Sequence, residues 1–192
     1  MDITLRQSWI AVRFLLVMTL VLGVGYPLAV FAVGRAVPST ADGSFVTSAS
    51  GTVVGSSLIG QTFDGPTWFH SRPSAAGKGY DALSSGGTNL GASNDTLVTA
   101  VQDAQAAIVK EDGVSVAAIP PDAVTSSGSG LDPDISPEYA ALQVSRVAAA
   151  RKLDPAKVQQ LVAEYTTGRT LGFMGEPRVN VLQLNLALES LR

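Results

Sequence analysis

One run of apolar residues, Phe14 to Val33, fenced by Arg13 and Arg35, constrains this chain more than any other feature. A helix of that length spans about 30 Å, the thickness of a bilayer's hydrocarbon core. No second stretch is apolar enough to cross again. The pattern predicts a single tether followed by a small domain. Arg6 and Arg13 precede the run, whereas after Arg35 the next basic residue is Arg72. The positive-inside rule therefore expects Met1 to Arg13 in the cytoplasm and Ala36 to Arg192 on the outer face, with Trp9 anchoring the cytoplasmic interface.

The competing reading is a cleaved signal peptide, because Val30-Phe31-Ala32 offers the small residues a signal peptidase accepts. Cleavage there would release a secreted binding module. Against it, the run exceeds the roughly 7–15 residues of a signal's apolar core. Pro27 and the Gly23/Gly25 pair lower intrinsic helicity, which membrane helices tolerate. Gly23, Gly25 and Ala29 read equally well as a small-residue surface for a partner helix or as ordinary membrane-helix residues.

The rest of the chain is long enough for one domain with its own core. It has no cysteine, so disulfides, thiolate chemistry and cysteine metal sites are excluded. Its only histidine, His70, lacks the spacing partners of a zinc site and reads as structural, so no metal is expected. Charge is uneven: three basic residues face eleven acidic ones from Ala36 to Glu138, and seven face four from Tyr139 onward. No basic stripe is interleaved with aromatics, so nucleic-acid binding has no support.

The expected organisation is a cytoplasmic N-terminus over 1–13, a transmembrane helix over 14–34, a loose linker over 35–51 and an extracytoplasmic α+β domain over 52–192. Val53 to Ile59 reads as a strand, and a second extended piece is expected around Trp68-Phe69. A helix opening near Ser93-Asn94 places Leu97, Val101, Ala104 and Ile108 on one face and stops at Gly113. Its terminal Glu111 and Asp112 oppose the helix dipole and predict a fraying last turn. Val114 to Ile119 reads as a short strand. Ser136-Pro137-Glu138 opens a second helix running to about Lys152, and Asp154-Pro155 opens a third at once, predicting an αα-hairpin. Val179 to Leu182 reads as a strand leading into a helix from Leu184 to Leu191.

Two glycine-rich loops stand out, Ser84 to Gly91 (SSGGTNLG) and Ser126 to Pro133 (SSGSGLDP). Glycines beside hydroxyls can turn several N–H groups inward to hold an anion, and they equally serve tight turns. Neither loop is a Walker A element. Ser85, Gly86, Gly87 and Asn89 are the candidates for contact with a nucleotide or a partner. Asp132 and Asp134 lack the calcium-loop pattern and suit turn initiation. Gln143 and Arg146, three apart on one helix face, reach either a partner or a glycine loop, or form a surface pair. Nothing singles out a nucleophile pair such as Ser74 with Lys78 from chance, and the enzymatic alternative is a membrane-tethered hydrolase using serines of the glycine-rich loops.

In order, the strings Leu58-Ile59-Gly60-Gln61, Trp68 to Ser74 (WFHSRPS), the SGGTNLG loop, Ser127 to Pro133, Gln143-x-x-Arg146-Val147-Ala148 and Gly175-Glu176-Pro177-x-Val179-Asn180-Val181-Leu182-x-Leu184-Asn185-Leu186-Ala187-Leu188 resemble the C-subunit family of the Kdp potassium-transporting ATPase. Asp95 stands where that family usually shows proline, and Asp134 where histidine is common. The resemblance implies an accessory subunit without a catalytic site or cofactor of its own. Its partners would be a potassium-channel-like subunit, a P-type ATPase subunit and membrane lipid, with ATP reached through the complex. It would complete the assembly and act as a catalytic chaperone that raises ATP affinity. The chain lacks the Asp-Lys-Thr-Gly phosphorylation string. Under this resemblance Ser129, Asp132, Gln143, Arg146 and Asn185 become candidates for partner contact.

Overall fold

The structure, a computed structural model, describes residues 3–191. Met1 and Asp2, from the expected cytoplasmic segment, and Arg192, the last residue of the expected domain, lie outside the described residues. The chain divides into two compact units between Ser44 and Phe45.

The first unit is built on one long helix. α1 (Ile3–Leu20) and α2 (Tyr26–Ala36) are joined by a wider π turn, Val21–Gly25. Together Ile3–Ala36 form a helix of 34 residues, long and apolar enough to cross a membrane by length and composition. The π turn has a cause in the sequence. Pro27 has no N–H, and its ring crowds the carbonyl four residues back, at Gly23. Widening the preceding turn relieves that crowding, and the Tyr26 N–H bonds Val21 O, five residues back. The stretch 35–51, expected as a loose linker, is partly ordered. It holds a helical turn, α3 (Pro38–Ala41), and a strand, β1 (Phe45–Thr47), that belongs to the second unit.

The second unit is a mixed helix-and-sheet domain, as the sequence predicts. β1 pairs antiparallel with β2 (Val53–Ser56), with a register break between Val46 and Thr47. Across most of residues 57–94 the chain has no regular elements before α4 (Asp95–Asp112). Asn94 caps α4 by accepting the Thr96 N–H, and Gly113 ends it at φ 69°, the left-handed conformation that glycine adopts without strain. Asp95 falls in the first turn, where an acid complements the helix dipole.

The segment Val114 to Ile119 is not a strand. Val116–Ala118 forms a short 3₁₀ turn, and Val114 and Ile119 rest against the core. Prolines 120 and 121 offer no ladder donors, and among the described residues no strand pairs with this segment. β3 (Asp134–Ile135) leads into α5 (Pro137–Arg151), capped by Ser136. Lys152 turns the chain in a left-handed conformation, and Asp154 caps α6 (Pro155–Glu164), giving the expected αα-hairpin. β4 (Thr166–Thr167) and β5 (Arg178–Asn180) follow, and α7 (Val181–Ser190) starts directly from β5 with Asn180 as its cap. The strand there is therefore shorter and the last helix longer than the sequence suggests. β5 lies between β3 and β4 in a three-stranded antiparallel sheet.

Helices α5, α6 and α7 supply most of the core, including Val144, Val147, Val158, Leu161, Leu184 and Leu188. Ile108 on α4, Val179 on β5 and Phe69 from the irregular segment complete it. Phe69 is fully buried, so a loop residue occupies the place of a core strand.

Candidate functional site

Trp68, Phe69 and His70 lie in an irregular segment that pairs with no strand among the described residues. Side chains from two helices substitute for one. Asn185 of α7 accepts the Phe69 N–H through Oδ1 and donates Nδ2 to the Phe69 carbonyl, both at 2.9 Å. Gln143 of α5 does the same for His70, accepting its N–H at 2.7 Å and donating to its carbonyl at 3.2 Å. Each amide reproduces the donor–acceptor pair of a β partner, so the buried backbone is satisfied without a ladder.

Arg146 holds the outer side of the same segment. Its guanidinium donates to Pro66 O at 3.0 Å, Trp68 O at 2.8 Å and Gln143 Oε1 at 2.6 Å. Its Nε meets Asp112 Oδ1 at 2.7 Å, with the Asp112 side chain 3 % exposed. This corrects the fraying expected at the end of α4. The carboxylate is buried in a charge-assisted bond, which outweighs a dipole penalty of about 0.3–1 kcal/mol. It also shows what the helix face of Gln143 and Arg146 reaches: neither a glycine loop nor the surface, but the backbone of residues 66–70. Arg151, one turn further on, donates to Thr67 O at 2.7 Å and lies 4.4 Å over the Trp68 ring. His70 has a structural place, with Nε2 2.9 Å from Gly65 O and Nδ1 3.5 Å from Glu111. Burial, reinforced by the nearby Asp112 carboxylate, drives the Tyr139 phenol pKa well above its ordinary value.

The two glycine-rich loops, far apart in sequence, pack on each other. Gly86 N–H donates to Ser129 O at 2.8 Å and Ser85 Oγ to the same carbonyl at 3.0 Å. Ser129 Oγ accepts the Leu131 N–H, tightening its own turn. Gly130 has φ 66°, and a Cβ there would stand 2.6 Å from Ala76 N, so the close approach requires glycine. Gly87 lies against the Gly128 backbone, while Asn89 is exposed in a left-handed conformation.

Ser74 Oγ donates to Gly130 O at 2.6 Å and accepts from Ala76 and Tyr80, so its hydroxyl serves the loop junction. Asp132 pairs with Arg72 at 2.9 Å and accepts the Asp134 N–H, the turn-initiating role the sequence suggests. Asp134 in turn meets Arg178 at 3.0 Å and Asn180 at 3.2 Å. Burial still raises its pKa, with Arg178 opposing.

The structure thus brings Gln143, Arg146 and Asn185 together on one segment, and Ser85, Gly86, Gly87, Ser129 and Asp132 around one loop junction. Asp112 as the partner of Arg146 and Arg151 over Trp68 were not foreseen. The only signal was a Trp-Phe-His string between turn residues, facing a helix with basic residues at 146 and 151. Among the described residues, no group of three or more His, Asp or Glu is placed to hold a metal.

These features define a class: a small helix-and-sheet domain behind one long apolar helix, its polar side chains turned onto its own backbone. Comparison with known proteins supplies the family. The profile of KdpC, described as K+-transporting ATPase, c chain, matches residues 8–190. A protein of Kineococcus radiotolerans named "Potassium-transporting ATPase KdpC subunit" is 57 % identical over 186 residues, covering 97 % of this chain and 94 % of the relative. Proteins of the same name from Streptomyces avermitilis and Acidobacterium capsulatum are 50 % and 48 % identical, over 98 % and 94 % of this chain and 95 % and 96 % of the relatives. The chain belongs to the KdpC family of potassium-transporting ATPase subunits.

Proposed function

We propose that the chain is a non-catalytic accessory subunit that completes an ATP-driven potassium uptake complex and raises the ATP affinity of its hydrolysing subunit. The family match over residues 8–190 is the observation that carries this reading. The Ile3–Ala36 helix anchors it in the cell membrane, and Arg6 and Arg13 favour an outward-facing domain over the potassium entrance. ATP is hydrolysed on the opposite side, so the domain acts on it at a distance through the anchor, with a coupling of about 1–3 kcal/mol.

The paired glycine loops fit a bracing role better than a nucleotide site. Gly86 N–H and Ser85 Oγ, two of the donors an anion would need, already bond Ser129 O. Asn89, exposed beside them, is the loop's remaining candidate for partner contact.

Reporters fused to Arg192, combined with ATP titration of the purified complex, test the proposal. The expected result is an extracytoplasmic terminus and an ATP affinity about 5- to 150-fold weaker when the chain is omitted. A cytoplasmic terminus overturns the capping arrangement. Unchanged ATP affinity overturns the chaperone role.

A further inference from the structure

The N-terminal helix is longer than the apolar run inside it. Ile3–Ala36 is continuous helix, while the run begins only at Phe14. About 16 Å of helix therefore precede the stretch that matches the hydrocarbon core. Arg6, Trp9 and Arg13 stand there at i, i+3 and i+7, within about 60° of the helix circumference, so they share one face. All three are exposed, Trp9 at 60 %. Ser8 lies on the opposite side, where its hydroxyl donates back to Thr4 O at 2.9 Å.

The two ends of the helix treat their charge differently. Beyond the run, Arg35 is paired with Asp42 at 3.7 Å. Arg6 and Arg13 have no ion pair among the described residues, and no acidic residue occurs from Ile3 to Ala41 to supply one. Two like charges are held on one face with nothing of opposite sign between them.

What neutralises them follows from where they stand along the helix. Arg13 borders Phe14, the first residue of the run, and Trp9 lies about 7.5 Å further out. The headgroup layer of one leaflet is about 5–8 Å deep, so Trp9 falls at the level that indole rings prefer. Arg6, one turn beyond, reaches the same layer along its flexible stem. Guanidiniums take phosphate oxygens in bidentate pairs. A zwitterionic headgroup brings its own cation, whereas an anionic one leaves a net charge for the arginines to neutralise.

We infer that the Arg6–Trp9–Arg13 face is a binding site for the headgroup of an anionic phospholipid, with the guanidiniums on phosphate and the indole packed beside them. The inference rests on the reading of Ile3–Ala36 as a membrane anchor.

The test uses the full chain in phosphatidylcholine vesicles, with trace spin-labelled phosphatidylglycerol or phosphatidylcholine reporting which lipid the helix immobilises. The unaltered chain should favour the phosphatidylglycerol probe about fivefold or more, the factor that one arginine gains near an anionic surface. Arg6→Gln combined with Ser8→Arg keeps the net charge and moves one guanidinium to the opposite face. It should bring the preference to within about twofold of parity. A preference unchanged by that swap overturns the site in favour of diffuse charge. No preference in the unaltered chain also overturns it, and leaves the anchor reading intact provided that the chain resists alkaline extraction from the vesicles. A chain released by such extraction overturns both. The same probes in the assembled complex should show the same preference; its loss on assembly assigns the face to an acidic surface of another subunit and overturns the lipid site.

Discussion

The segment at 65–70 and the turn at 170–174 are both irregular chain, and they treat water in opposite ways. The first buries backbone and matches its donors and acceptors mainly with side chains from the helices, Asn185, Gln143, Arg146 and Arg151. The second satisfies its backbone internally and leaves its apolar side chains outside. Polar side chains have gone in and apolar ones out, the reverse of the usual sorting. The difference teaches which of the two holds the domain together. A long-range helix–loop clamp stabilises a fold, whereas a closed turn with exposed Phe and Leu does nothing for its own fold.

The contrast breaks most easily at Arg146. Arg146→Met leaves the Asp112 carboxylate buried and unpaired, and chemical unfolding of the full chain should show a loss of about 3–5 kcal/mol. Adding Asp112→Asn should recover a substantial part of it; no recovery would mean the arginine acts by packing alone. Asn185→Leu keeps the branched shape but orphans both polar groups of Phe69, with an expected loss of about 2–4 kcal/mol by the same measurement. An unchanged stability would refute the strand-substitute role.

Gly130→Ala forces a side chain at φ 66° against Ala76, and about 2–3 kcal/mol should be lost at the loop junction. Asp134 gives a smaller, pH-dependent effect. Its folded pKa is raised, so its contribution is fully present below the unfolded pKa and is lost as pH rises through the folded one. Asp134→Asn should therefore improve relative to the parent as pH climbs through that window, by less than about 1 kcal/mol because the partly exposed Arg178 pair is lost too. Paired unfolding curves across the window check the sign, and the opposite slope would contradict it. Smallest of all, Phe173→Ser should leave stability within about 0.5 kcal/mol, and a larger loss would move the turn into the same class as the clamp.

Much of the helical architecture is legible in the residues. Asn94, Ser136 and Asp154 cap the helices they precede, and Gly113 and the Lys152 turn end two of them, because capping depends on a few neighbouring backbone groups, whereas Asn180, inside the expected strand, turns out to cap the last helix. The αα-hairpin and the long apolar helix follow from periodicity and length. Val114 to Ile119 misleads for the same reason that those succeed. Its apolar character is local, but a strand requires a partner, and the described residues supply none there. The end of α4 is similar, since the dipole argument is local and Arg146 is 34 residues away from Asp112.

The candidate site divides along that line. Glycine-rich strings announce loops, but nothing within either string says that Ser129 O receives both Ser85 and Gly86. Gln143 and Arg146 are visibly on one helix face, yet which way that face turns depends on Phe69 filling the core between α5 and α7.

By itself, then, the sequence determined a single long apolar helix, a small α+β domain and its family, because length, capping and residue strings act over short distances along the chain. Only the tertiary structure decided that the polar candidates clamp residues 65–70 and that Leu171, Phe173 and Met174 stay outside. Burial is a property of what packs around a side chain, and those neighbours come from all parts of the domain.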